Sequence, residues 1–194
     1  NFIDGLNGLV LCYYFLSFLT LLIFILNKNI NFDYSLIITV LIILIINYPF
    51  NLIGNNFLGD SGSYLIAFIS GYIFVYFYQT YSDVSALFIV ALLWYPAFEN
   101  LFSILRKLKS KIDVSTPDNF HLHHFIYLEL NKKFKNNNLN NSLTGILINL
   151  FNLILLIIAS FFANHSAHLS IILGFSISIY LITYYLLKKK NTTF

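Results

Sequence analysis

The sequence predicts an all-α fold, a polytopic transmembrane helix bundle with about six spanning helices and cytosolic loops that carry the chemistry. Composition is the first observation behind this. Of 194 residues, 58% are apolar and only 10% are charged, whereas a soluble domain carries about 25% charged residues. Mean hydropathy is +0.76, so most of the chain has no means of facing water. The second observation is a series of six apolar runs, most of which approach the roughly 20 residues a helix needs to cross the hydrocarbon core. The third is the placement of the basic residues on one side of those runs. Three prolines and the lack of long Gly/Ser tracts argue for a single membrane-embedded domain over residues 1–194.

Taken in order, the runs are 9–26, 34–50, 64–79, 84–105, 143–163 and 168–187. The first contains the single cysteine, Cys12, so no internal disulfide can form. The second and third are the shortest and flank a polar segment. The fourth carries Glu99, about six residues from its basic end. The last two follow a long polar connection. Buried helices of a soluble protein would need a polar shell that this composition cannot build.

Basic residues set the orientation. Arg106, Lys107, Lys109, Lys111, Lys132, Lys133 and Lys135 lie in the fourth connection, Lys188, Lys189 and Lys190 follow the last run, and only Lys28 lies elsewhere. Alternating six spans places ten of the eleven on one side, and the positive-inside rule makes that side cytosolic. Both ends of the chain are then cytosolic. Each lysine near anionic lipid contributes about 1 kcal/mol, so the lysines orient the protein and need not touch a substrate.

Three polar segments fall on that cytosolic side. They are Asn1-Phe2-Ile3-Asp4-Gly5-Leu6-Asn7-Gly8-Leu9, Asn55 to Ser63 with the core Gly59-Asp60-Ser61-Gly62, and Thr116 to His124. Each has a plain structural reading. Asp60 and Ser61 are suitable caps for the third helix. Thr116-Pro117 reads as a helix start, which would put His121 and His124 on one face. The string Gly-Asp-Ser-Gly also occurs in serine proteases, but here it opens a membrane helix. Together the segments suit phosphate chemistry. A helix N-terminus favours an anion, and a carboxylate beside it repels phosphate unless a divalent cation lies between. Mg²⁺ takes one or two carboxylate or amide oxygens plus substrate phosphates. Asp60 with Asn1 or Asp4 supplies such oxygens, and histidines with Arg106 would neutralise further phosphate charge.

At these residues the chain resembles the polyprenyl-phosphate sugar-1-phosphate transferases, the superfamily that includes WecA, TagO and MraY. The resemblance rests on Asn1-x-x-Asp4-Gly5-Leu6-Asn7-Gly8-Leu9, Phe57-Leu58-Gly59-Asp60-Ser61-Gly62-Ser63 and Pro117-Asp118-Asn119-Phe120-His121-Leu122-His123-His124, in that order. It implies attack of a polyprenyl phosphate on the β-phosphate of a UDP-sugar, release of UMP and a need for Mg²⁺ or Mn²⁺. It implies Asp60 as a metal-binding aspartate and Asn1 as a ligand of metal or nucleotide. Asp4 and Asn7 would line the nucleotide-sugar pocket, with Asp118 and Arg106 also at the substrate. His121, His123 and His124 would meet the sugar–diphosphate. Asn7 and His-Leu-His-His are closer to the WecA branch, which uses UDP-N-acetylhexosamines. The implied partners are a UDP-sugar, undecaprenyl phosphate and the bilayer of a bacterial inner membrane. A homodimer is compatible with this, and no nucleic acid is expected.

Family members carry further N-terminal spans and an Asp-Asp pair, so the chain reads as the C-terminal part of an enzyme, inactive by itself. The Arg and Ser-Pro pattern that usually precedes Pro117 is replaced here by Ile112-Asp113-Val114-Ser115. Glu99, a carboxylate at a depth that costs roughly 2.5–3.5 kcal/mol, would face the bundle, either against Arg106 or toward the lipid phosphate. Rival readings are a catalytically inactive membrane scaffold, a transporter, and a zinc protein using His121, His123 and His124. Carriers place charges near the midplane, which this chain lacks beyond Glu99. Zinc favours three or four ligands, with no cysteine nearby to help.

Overall fold

The computed structural model describes residues 5–114, 116 and 118–192. Among the described residues, seven helices follow one another: α1 (Leu9–Asn27), α2 (Ser35–Leu52), α3 (Gly59–Thr80), α4 (Ala86–Lys109), α5 (Leu122–Lys133), α6 (Asn137–Phe161) and α7 (Ser166–Thr192). All but α5 are long and apolar enough to cross a membrane. The chain is an all-helical, multi-pass membrane bundle.

Three helices extend furthest beyond their apolar runs. The third starts at Gly59, so Asp60 lies within its first turn. The sixth starts at Asn137 because the Asn136 side chain accepts the Leu139 N–H at 3.1 Å, capping an Asn-rich turn. The seventh carries Lys189 and Lys190 in its last turn, where cations complement the helix dipole.

The first helix is the hub, packed against α2, α3 and α6. It has Tyr13, Phe18 and Leu21 fully buried. The fourth helix packs on α3, α6 and α7, and α5 lies against α6 and α7. Lipid-facing sides remain apolar, as in Ile42, Ile45 and Ile46 of α2. Without water, every freed backbone group must find a protein partner. Pro96 in α4 has no N–H to give to the Leu92 carbonyl. The Tyr13 hydroxyl donates to that carbonyl at 3.1 Å, and Ser17 Oγ lies 2.9 Å from it. The same hydroxyl accepts the Tyr95 N–H at 3.3 Å. A proline that interrupts α4 thus locks it to α1, one turn before Glu99.

Polar contacts gather at one end of the bundle. There the segment before α1 meets the end of α2 and the start of α6, the connection before α5 meets the end of α4, and α5 meets the end of α7. At the other end Ser85 donates its N–H to the Ala163 carbonyl at 2.9 Å, and the rings of Phe162 and His168 stack at 4.8 Å.

Candidate functional site

One wall of the site is the turn into α1. Gly8 is left-handed (φ 75°), and a Cβ there would lie 2.9 Å from Leu52 Cδ1 and 3.0 Å from Tyr48, so only glycine fits. The first N–H groups of a helix lack intrahelical partners, and asparagines on other helices take up those of this turn. Gly8 donates to Asn51 Oδ1 at 2.7 Å, and Asn7 donates its N–H to Asn141 Oδ1 at 2.6 Å. Asn51 in turn donates to the Asn56 carbonyl at 2.7 Å, tying the turn to the α2–α3 connection. Gly54 of that connection comes close to the Asn7 amide. Asn51 and Asn141 do not stand out in the sequence, because asparagine recurs throughout the chain. The available signal was their position beside apolar runs, where an amide must be paired.

The second wall is the histidine segment. The start expected at Thr116-Pro117 is not where the helix begins: α5 starts at Leu122, with His121 at its N-cap in extended backbone. Extended geometry puts residues i and i+2 on one side. His121 therefore stacks on His123 (centroids 5.2 Å apart, planes 10° apart) and does not share a face with His124. His124 instead lies near Tyr127. A Cβ on Gly5 would come within 3.3 Å of His123 Nε2, so the segment before α1 reaches the histidines.

Glu99 organises this wall from within α4. It is 1% exposed, its Oε1 lies 2.9 Å from His121 Nδ1, and its Oε2 accepts the Tyr180 hydroxyl at 2.6 Å. The Glu99–Arg106 pairing, one of the two placements expected for Glu99, is not formed. Arg106 donates to Asp118 at 3.0 Å and to Ser103 Oγ at 3.2 Å, with its guanidinium 5.6 Å over the Phe120 ring. The geometric reason is the connection after α4, which folds back and offers Asp118 as a nearer carboxylate. Lys107 also departs from the surface role expected of the basic residues. It is 3% exposed, and its ammonium donates to the Val114 and Thr116 carbonyls at 3.0 and 2.7 Å while lying 3.8 Å from Asp118. Neither Tyr180 nor Lys107 was legible as a site residue.

Electrostatics follow from these neighbours. Burial pushes the Asp118 carboxyl up, but hydrogen bonds from Arg106 and the Phe120 N–H, with the Arg106 and His121 charges, outweigh it and hold it below the usual range. Burial lowers His123 to about 4; Glu99 opposes this, and His121 and His124 reinforce it. His123 is therefore a neutral ring at pH 7, with Nδ1 buried and without a hydrogen-bond partner among the described residues. His124 is lowered too, by burial and then by His121. Across the end of the bundle, Glu129 on α5 pairs with Lys132 at 2.8 Å and with Lys190 of α7. Those hydrogen bonds and charges hold its carboxyl well below the usual range.

Asp60 is exposed, and its carboxylate has no hydrogen-bond or ion-pair partner among the described residues. It does not act as a side-chain cap. Its open oxygens suit a hard divalent cation shared with phosphate. Asn1 and Asp4, the other expected metal and pocket residues, lie outside the described residues. A second donor set exists where ligand atoms of Glu99, His121 and His123 lie within 4.8 Å of one another. An ion there would have to displace the hydrogen bonds that already occupy both Glu99 oxygens.

No protein-family model matches the chain, and no solved structure does. Among curated proteins, the chain is 28% identical over 127 residues to a protein of Bacillus subtilis (strain 168). The match covers 64% of this chain and 35% of that protein, so it spans about a third of the relative's length. That relative is described as a probable undecaprenyl-phosphate N-acetylglucosaminyl 1-phosphate transferase, and it is to such a transferase that this chain is similar.

Proposed function

We propose that the protein transfers a sugar-1-phosphate, an N-acetylhexosamine-1-phosphate, from a UDP-sugar to undecaprenyl phosphate on the cytosolic side of a bacterial inner membrane. A lipid phosphate oxygen attacks the β-phosphorus of the UDP-sugar, the bond to the α-phosphate oxygen breaks, and UMP leaves. The product initiates a cell-envelope glycan. The observation that carries this reading is the meeting of the Gly5–Gly8 turn with the histidine segment at one end of an apolar bundle. Similarity to the B. subtilis protein supports the reaction class.

In this reading the chain works by placement and charge. Phosphoryl transfer depends almost wholly on positioning and electrostatic stabilisation. Asp60 would hold Mg²⁺ (or Mn²⁺), with Asn1 as a second ligand, and the ion would supply neutralisation of the diphosphate. Asn7 and Asp4 line the nucleotide-sugar pocket. Its backbone pinned by Asn141, Asn7 is free to offer its side-chain amide. His121, His123 and His124 meet the sugar–diphosphate, with Arg106 and Asp118 shaping the loop that carries them.

The test is UMP release by the protein as its gene encodes it, in detergent or lipid, given UDP-N-acetylglucosamine, undecaprenyl phosphate and Mg²⁺. Lipid-dependent and metal-dependent UMP is the expected result. Its absence with every UDP-N-acetylhexosamine supplied would overturn the proposal and favour a catalytically inactive relative.

A further inference from the structure

Glu99 and Tyr180 belong to spanning helices, yet their side chains end at the histidine segment. A carboxylate in a span is costly and marks function by default. Here its two oxygens are divided between two donors. Oε2 takes the Tyr180 hydroxyl from α7, and Oε1 faces His121 Nδ1 from the connection before α5. Three separate segments therefore converge on one carboxylate. Tyr180 is itself held edge-on by Phe98 and Phe102 at 5.0 and 5.5 Å between ring centroids. That fixes the hydroxyl, and through it the rotation of the carboxylate.

A carboxylate acceptor at Nδ1 requires the proton there and sets the ring's orientation, the same control that carboxylates exert over functional histidines elsewhere. The ring turned this way presents Nε2 toward the Asp118 side, 3.6 Å from Oδ1. Its face lies on His123, whose other neighbour is Gly5. We propose that Glu99, braced by Tyr180, is a positioning residue that fixes the tautomer and orientation of His121 for the substrate diphosphate. The catalytic consequence rests on the transferase reading; the control of the ring does not.

The test separates the two. The protein as its gene encodes it is labelled with ¹⁵N-histidine and studied in detergent at pH 8 without substrate, with His121→Gln assigning the His121 signals. The unmodified protein should show the Nδ1–H form of His121. Glu99→Leu, which removes the acceptor, should abolish that preference. Tyr180→Phe, which keeps the ring and removes the brace, should shift the Nδ1 proton. In turnover, Glu99→Leu should lower kcat by about 10- to 100-fold while KM for the UDP-sugar changes little. Unchanged His121 signals in Glu99→Leu would overturn the proposal. So would altered signals with unchanged kcat. If Glu99→Leu does not fold, Tyr180→Phe decides: an unmoved Nδ1 proton overturns the proposal. Missing UMP release from the unmodified protein would overturn the transferase reading alone, since the ring is read without substrate.

Discussion

The backbone carbonyl of Asn7 rests against Gly145 of α6 so closely that a Cβ on Gly145 would lie 2.7 Å from it. Two further contacts fasten the same turn to α6: the Asn141 side chain accepts the Asn7 N–H, and Asn149 donates to the Leu9 carbonyl at 3.1 Å. A backbone oxygen cannot swing aside as a flexible side chain can. Gly145→Ala should therefore push the turn off α6 and cost about 1–3 kcal/mol, the usual cost of overpacking. Thermal unfolding in detergent checks this. Gly71→Ala and Gly174→Ala, where the added carbon meets nothing within 4 Å, should be tolerated. An unchanged midpoint for Gly145→Ala would show that this contact does not hold the turn.

Asp60 is exposed and its carboxylate pairs with no side chain among the described residues, so its charge does little for the fold. Asp60→Asn should leave insertion and thermal stability unchanged while removing UMP release and its Mg²⁺ dependence. Near-normal turnover in this variant would end the metal role, because an amide is a much poorer ligand for Mg²⁺ than a carboxylate.

His123 makes stability depend on pH. Its folded value of about 4 lies below the ordinary 6.5, with burial as the main cause. Between those values the unfolded chain binds more protons than the folded one. The contribution of a neutral His123 is thus complete above pH 6.5 and is lost as pH falls toward 4. The protein should be about 2 kcal/mol less stable at pH 5 than at pH 8 from this group. His123→Leu should flatten that segment of the profile, measured as unfolding midpoint against pH. An identical profile in the variant would assign the pH dependence to other groups.

Orientation in the membrane is tested by single cysteines in a Cys12→Ser background. Ile30→Cys and Ser82→Cys should react with an impermeant maleimide on intact cells, whereas Asn137→Cys should react only after lysis. The reverse pattern would put the histidine segment on the outer side and contradict a cytosolic nucleotide-sugar substrate.

Fold class was legible because a bilayer imposes a local rule: each crossing needs a continuous apolar run, and composition reports it directly. The polar segments were legible for the same reason, since Asp60 and the histidines interrupt an otherwise apolar text. Helix starts were less so. A capped Asn-rich turn extended α6, and a folded-back connection delayed α5 to Leu122.

Pairing was decided only in three dimensions. Sequence proximity suggested Arg106 for Glu99, seven residues on. The structure gives Glu99 to His121 and to Tyr180, 22 and 81 residues away, and gives Arg106 to Asp118. Gly145 is unremarkable in sequence and acquires its role from a carbonyl on another helix. The physical reason is one of range. Burial in lipid is a property of each segment alone, whereas a carboxylate's partner depends on which donors the packed helices bring within 3 Å, and that distance exists only after the bundle has closed.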